Sequence, residues 1–155
     1  QRYARPVTPT RIRIDPRVTT FGRLLEACHG LEVRLGAQLE ATAGLQLTTL
    51  EVLLRLSRSP EGALTMGDLS RQLALTTGGI TRLVDRLSAD GLVERRPSPR
   101  DRRVQYTRIT DLGRSTLRDA LGHHTDALRD VFEGFSSDEL ALLDSLLDRL
   151  RPTAS

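Results

Sequence analysis

The densest chemistry in the sequence is positive charge on a short, proline-stiffened stretch. Arg95, Arg96, Arg100, Arg102 and Arg103 fall within nine residues, interrupted by Pro97 and Pro99. Guanidinium groups stay charged and match phosphate oxygens in a fixed fork. A rigid arginine finger therefore suits the strong negative potential of a narrow minor groove. A second cluster lies just upstream. Thr76, Thr77 and Thr81 supply hydroxyls, Arg82 supplies a guanidinium, and Gly78 leaves room for close backbone approach. Grouped at a helix start, such residues are suited to phosphate and base contacts. Either cluster alone reads equally well as solvated surface or a tight protein corner. Their succession in the chain points to nucleic acid.

Other chemistries are poorly represented. There is no phosphate-binding glycine loop, no G-x-S-x-G and no metal-protease motif, and no pair of carboxylates is singled out for acid–base work. The expectation is a non-enzyme without cofactor. Cys28 falls on an apolar stripe and is expected to be a small, buried, inert thiol. His29, His123 and His124 lack chelating spacing, because neighbours on a helix point about 100° apart. No metal site is expected.

The chain has 155 residues, with 23 basic side chains, all arginine, against 20 acidic ones, for a net charge of +3. Hydrophobic residues make up 38% and charged residues 28%, which fits one globular domain. No apolar run approaches a membrane span, and residues 1–16 carry no signal-peptide pattern. A single cysteine suits a reducing cytoplasm. The modest net charge conceals two basic regions, residues 1–17 and 82–108, each with a surplus of four positive charges, on a mildly acidic remainder. That distribution favours a polyanionic partner.

These residues must be positioned by helices and one hairpin. Phe21, Leu24, Leu25, Cys28, Leu31, Leu35 and Leu39 recur at three- and four-residue steps, predicting a helix over 18–43 that stops at Gly44. A second helix spans 48–58 on Leu50, Leu53, Leu54 and Leu56, before the break at Ser59-Pro60-Glu61-Gly62. A short helix follows over 66–73 with Thr65 as its cap. Thr76 caps the next, which runs to Ala89 and places Ile80, Leu83, Val84 and Leu87 on one face. Gly78, Arg82, Asp85 and Ala89 share the opposite face. Residues 92–96 and 104–109 read as a strand pair around the arginine-rich tip. Thr110 caps a helix through the 110s and 120s, and Ser136-Ser137-Asp138-Glu139 forms a capping box for a last helix whose seam is Leu140, Leu143, Leu147 and Leu150. The expected fold class is mostly α with a small β-hairpin wing: a winged helix-turn-helix lobe (47–109), flanking helical regions (18–46 and 110–155) and an N-terminal arm (1–17).

On these residues the sequence resembles the MarR (multiple-antibiotic-resistance regulator) family of transcription factors. Asp101-Arg102-Arg103, continuing to Ile109-Thr110-Asp111-Leu112-Gly113, follows the family's wing signature, D-x-R then I/L-T-x-x-G. Residues 78–87 and 91–95 are similar to its recognition helix and first wing strand, and 45–56 to its second helix. The resemblance covers about residues 18–150. It implies a ligand-responsive homodimeric regulator, expected to be a repressor, that binds a double-stranded pseudo-palindromic operator. Carried over by position, Thr76, Thr77, Gly78, Thr81 and Arg82 face the major groove, and Arg86 contacts phosphate or protein. Arg100 and Arg102 belong to the basic tip, Arg103 reaches the minor groove and Asp101 buttresses it. Phe21, Leu24, Leu25, Leu143, Leu147 and Leu150 become dimerisation candidates. The family also implies a small aromatic or phenolic effector, for which Arg23 and Arg34 are carboxylate-binding candidates. A branch that senses hydroperoxides places its cysteine further upstream with tyrosine partners, a pattern Cys28 does not match. The competing reading is a winged-helix module that binds protein and not DNA, because fold alone does not fix function.

Overall fold

The computed structural model describes residues 13–98 and 104–150. Helix α1 (Pro16–Ala43) opens with Asp15, whose carboxylate accepts the Arg17 backbone N–H at 2.8 Å, and with Pro16 at the first helical position. Both features favour helix initiation, so the helix starts two residues earlier than periodicity alone indicates. It ends at Gly44, which adopts φ +62° while its N–H donates to the Glu40 carbonyl at 2.9 Å. A left-handed residue at that position is the usual glycine stop.

Helix α2 (Leu47–Arg58) leads through a tight 3-10 turn at Pro60–Gly62 into β1 (Ala63–Thr65). Next come α3 (Met66–Gln72), α4 (Thr77–Ala89), β2 (Val93–Pro97), β3 (Gln105–Ile109), α5 (Asp111–Phe132) and α6 (Ser137–Asp148). The three strands form an antiparallel sheet in the order β1-β3-β2, with Leu64 opposite Thr107 and Thr107 opposite Arg95. Strand β1 was not expected from the sequence. Three residues are too few to show alternation, and its partner lies more than forty positions away.

Side chains cap the helices where the sequence placed them. Thr65 accepts the Asp68 N–H at 3.1 Å, Thr76 that of Gly79 at 3.2 Å and Thr110 that of Gly113 at 3.0 Å. At α6 the capping box closes in both directions, Ser136 Oγ accepting from Glu139 N at 3.3 Å and Glu139 accepting from Ser136 N at 2.9 Å. Each such cap satisfies a backbone donor that the helix cannot.

The core lies inside the lobe. The expected apolar face of α4 (Ile80, Leu83, Val84 and Leu87) is buried against Leu50, Leu53 and Leu56 of α2, Leu69 of α3 and Val93 and Ile109 of the sheet. Val52 is buried too, while Leu54 packs at the edge of this core. Helix α5 joins through Leu117 and Ala120, and α1 through Leu39 near its C-terminal end.

The I-T-x-x-G segment has a direct physical explanation. Ile109 is 3% exposed and closes the sheet side of the core. The Thr110 hydroxyl caps α5 and also donates to the carbonyls of Gly91, at 2.7 Å, and Leu92, at 3.1 Å. Gly113 lies so close to Leu92 that an added Cβ would collide with the Leu92 carbonyl oxygen and with Ile109. A side chain has no room there.

Candidate nucleic-acid interface

Helix α4 is held as the second helix of a helix-turn-helix. The turn from α3 passes through Ala74, a non-glycine residue at φ +51°. It is pinned by Ser70, whose hydroxyl donates to the Leu75 carbonyl at 2.6 Å, and by the Leu75 N–H donating to the Ser70 carbonyl at 3.0 Å. With the apolar face of α4 buried, Thr77, Gly78, Arg82, Asp85 and Arg86 are exposed and Thr81 is half-buried. Gly78 has open space around it, since an added Cβ would meet nothing within 4 Å.

The threonines differ in what they can offer. Thr76 uses its oxygen as the helix cap and keeps its hydroxyl proton, which can donate to a phosphate oxygen. Thr81 donates its proton to the Thr77 carbonyl at 2.8 Å, leaving lone pairs that suit an amino donor on a base edge. Arg82 and Arg86 form no ion pair with a described carboxylate.

The wing arginines are less uniform than the sequence suggested. Arg95 binds Asp85 of α4 at 2.6 Å, and Arg96 binds Glu94 at 2.9 Å. The hydrogen bond from Arg96 pulls the Glu94 carboxyl below its ordinary range, with further help from the charges of Arg96 and Arg108. Two of the five clustered arginines are thus offset by acids of the lobe itself. Arg100, Asp101, Arg102 and Arg103 lie outside the described residues. Asp85 is the residue sequence reasoning passed over. Periodicity sets it on the outward face, but its partner ten positions away on another element leaves no local signal.

The other candidate residues are dispersed. Phe21, Leu25, Leu147 and Leu150 are 60%, 54%, 42% and 67% exposed, and Leu24 and Leu143 are half-buried. Cys28 is exposed, contrary to the expectation of a buried thiol. Its stripe on α1 extends beyond the lobe, where no described residue buries it. Arg23 and Arg34 are exposed on α1. They border neither the cleft of about 280 Å³ between Arg55, Arg58, Pro60, Leu64 and Gln72 nor the one of about 200 Å³ between Glu40, Gln46, Arg86 and Asp90. Among the described residues no three His, Cys, Asp or Glu side chains converge as a metal site would require. No described helix is long and apolar enough to cross a membrane.

Known proteins share this arrangement. The sequence profile of the MarR family matches residues 43–104, from the end of α1 into the wing. The uncharacterised HTH-type transcriptional regulator YdgJ of Bacillus subtilis is 27% identical over 128 residues, which cover 83% of this chain and 77% of YdgJ. Sco3205, a MarR family transcriptional regulator from Streptomyces coelicolor solved in complex with DNA, superposes with a TM-score of 0.79 at 27% identity, over 92% of this chain and 91% of Sco3205. A single-site mutant of MarR from E. coli, complexed with operator DNA, superposes with a TM-score of 0.76 at 25% identity, over 88% and 96% of the two chains. The family profile covers the lobe, the sequence relatives and superposed structures extend over the flanking helices, and across these residues the chain is similar to the MarR family of winged-helix transcriptional regulators.

Proposed function

We propose that this protein is a cytoplasmic, homodimeric regulator that binds a pseudo-palindromic DNA operator, represses transcription there and releases it in response to a small aromatic or phenolic ligand. The observation that carries the DNA reading is the outward face of α4. A capped helix start presents Thr76, Thr77, Gly78, Thr81 and Arg82 beside a basic wing, in a fold whose relatives have been solved on DNA. In this reading Thr76 and Arg86 hold phosphates, Thr81 and Arg82 read base edges, and Arg103, buttressed by Asp101 and flanked by Arg100 and Arg102, enters the minor groove.

The dimer is supported by α6, which buries none of its residues within its own chain, while Leu142, Leu146, Leu147 and Leu150 are exposed. Phe21 and Leu25 leave a matching apolar surface on α1. Uncovered apolar area of this kind calls for a partner, and a second copy of the same surfaces is self-complementary. Two recognition helices related by a two-fold axis would address half-sites about 10 bp apart.

Selection from a random duplex pool tests the reading directly. The expected outcome is an enriched inverted repeat bound with strong salt dependence. Arg103→Ala is expected to weaken that complex and to lower the slope of log K against log salt by about one unit, the loss of one phosphate contact. Failure to enrich any sequence, with no salt-sensitive complex, would favour the protein-interaction module instead. A thermal-shift screen over aromatic acids and phenols tests the effector, which is expected to raise Tm and to lower DNA affinity together.

A further inference from the structure

Asp85 is out of place on a DNA-reading face. It lies on the outward side of α4, one turn beyond Thr81 and Arg82, and a carboxylate facing a polyanion opposes binding. Its ion pair with Arg95 does not justify the position through stability either. The two side chains are 57% and 38% exposed, and pairs at that exposure contribute little to folding. What the pair does is mechanical. Arg95 stands opposite Thr107, and Thr107 opposite Leu64, so one row crosses all three strands. Residues paired across an antiparallel ladder project to the same face. From that row the fully buried Thr107 donates its hydroxyl to the sulfur of Met66, at the start of α3, at 3.3 Å. Arg95 reaches Asp85 on α4 at 2.6 Å. A single row of the sheet therefore holds both helices of the helix-turn-helix.

Resting on the DNA reading above, we infer that Asp85 and Arg95 are positioning residues for sequence discrimination: their contact fixes the wing strand against the recognition helix, so that both readers meet one half-site in register. Two roles for Arg95 make opposite predictions. If Arg95 were chiefly a phosphate contact, Asp85→Asn would release it, remove a negative charge and tighten DNA binding. If the pair sets geometry, the same substitution weakens the specific complex despite the gain in charge.

The test compares wild type, Asp85→Asn, Arg95→Gln and the exchanged pair Asp85→Arg/Arg95→Asp on the DNA selected from the random pool and on scrambled duplex of equal length. Each single variant is expected to lose about tenfold in affinity for the selected sequence, the scale of one misread base pair. Asp85→Asn is expected to bind scrambled DNA at least as tightly as wild type. The exchanged pair recovers most of the specific affinity, which no loss of a simple phosphate contact would allow. Equal or tighter binding of the selected DNA by Asp85→Asn overturns the inference. A second measurement needs no DNA. Spin labels at Ala89→Cys and Gln105→Cys, both exposed positions, in a Cys28→Ser background and diluted into unlabelled chains, report the distance from recognition helix to wing. Asp85→Asn is expected to broaden that distribution, and an unchanged width overturns the positioning role. Should wild type select no sequence, the DNA reading itself fails, and the claim about discrimination fails with it. The label distances would still judge the geometry.

Discussion

Helices α2 and α6 are of equal length and similar leucine content, yet they have opposite fates. Over 12 residues each, α2 buries Thr49, Leu50, Val52, Leu53 and Leu56, whereas no residue of α6 is fully buried and only Leu140 and Leu143 are half-buried. Leu53 is 0% exposed and Leu147 is 42% exposed. Composition alone does not separate them. The lobe supplies α2 with apolar faces on α4, α5 and the sheet, while among the described residues α6 has no such set of faces around it. An apolar stripe thus declares a need for a partner and says nothing of whose chain supplies it. The same contrast divides α1 along its own length, Leu35 and Leu39 buried near one end and Val18, Phe21 and Leu25 bare near the other.

Substitutions can break this contrast or sharpen it. The largest expected effect is from Leu53→Ala, which opens a cavity in a closed core and costs about 2–5 kcal/mol. Chemical denaturation should show that loss equally at every protein concentration. Leu147→Ala is the matched control. Its effect on the isolated chain is within about 0.5 kcal/mol, so its signature is instead a shift in the concentration dependence of Tm and of sedimentation. A loss at Leu147 independent of concentration would erase the distinction between the two helices.

Gly113→Ala comes next. It forces a methyl group against the Leu92 carbonyl and Ile109, an overpacking worth about 1–3 kcal/mol, read as a fall in Tm with α5 still helical by circular dichroism. Ala74→Gly works in the other direction. It relieves a left-handed residue in the helix-turn-helix turn and is expected to stabilise the lobe by about 1 kcal/mol, by the usual penalty for a side chain in that conformation. The smallest effect belongs to α6. Hydrogen bonds from the Ser136 backbone and then its side chain hold the Glu139 carboxyl below its ordinary 4.5. A carboxyl lowered in the folded state contributes stability above its unfolded pKa and loses it as the pH falls through the lowered value. The start of α6 should therefore fray on acidification below about 4.5, seen as faster exchange at the Ser136 amide, and Glu139→Gln should flatten that dependence.

Much of the lobe was legible because its signals are local. Thr65, Thr76, Thr110 and Ser136 announce helix starts within four residues of the groups they satisfy. The buried face of α4 follows from 3.6-residue periodicity. Features that join distant segments were not legible. Strand β1 exists because β3 offers it a ladder, and Arg95 is held by Asp85 rather than standing free in the finger. Cys28 was misplaced for a third reason. Its stripe was read correctly, but the inference that a stripe is covered within its own chain fails beyond the lobe. The outward positions of α4 were readable as positions. Which hydroxyl proton each threonine keeps depended on helix carbonyls and caps that only the folded backbone supplies.

Thr110 links the recognition lobe to the helix that follows it. One hydroxyl caps α5 and grips the two carbonyls that precede β2, and Gly113 seats the first turn of α5 against the same Leu92. Wing and α5 therefore share a pivot with no slack residue between them. A displacement of the first turn of α5 would be felt directly at Gly91 and Leu92, the residues that lead into β2. One hydroxyl and one missing side chain are what join that helix to that strand.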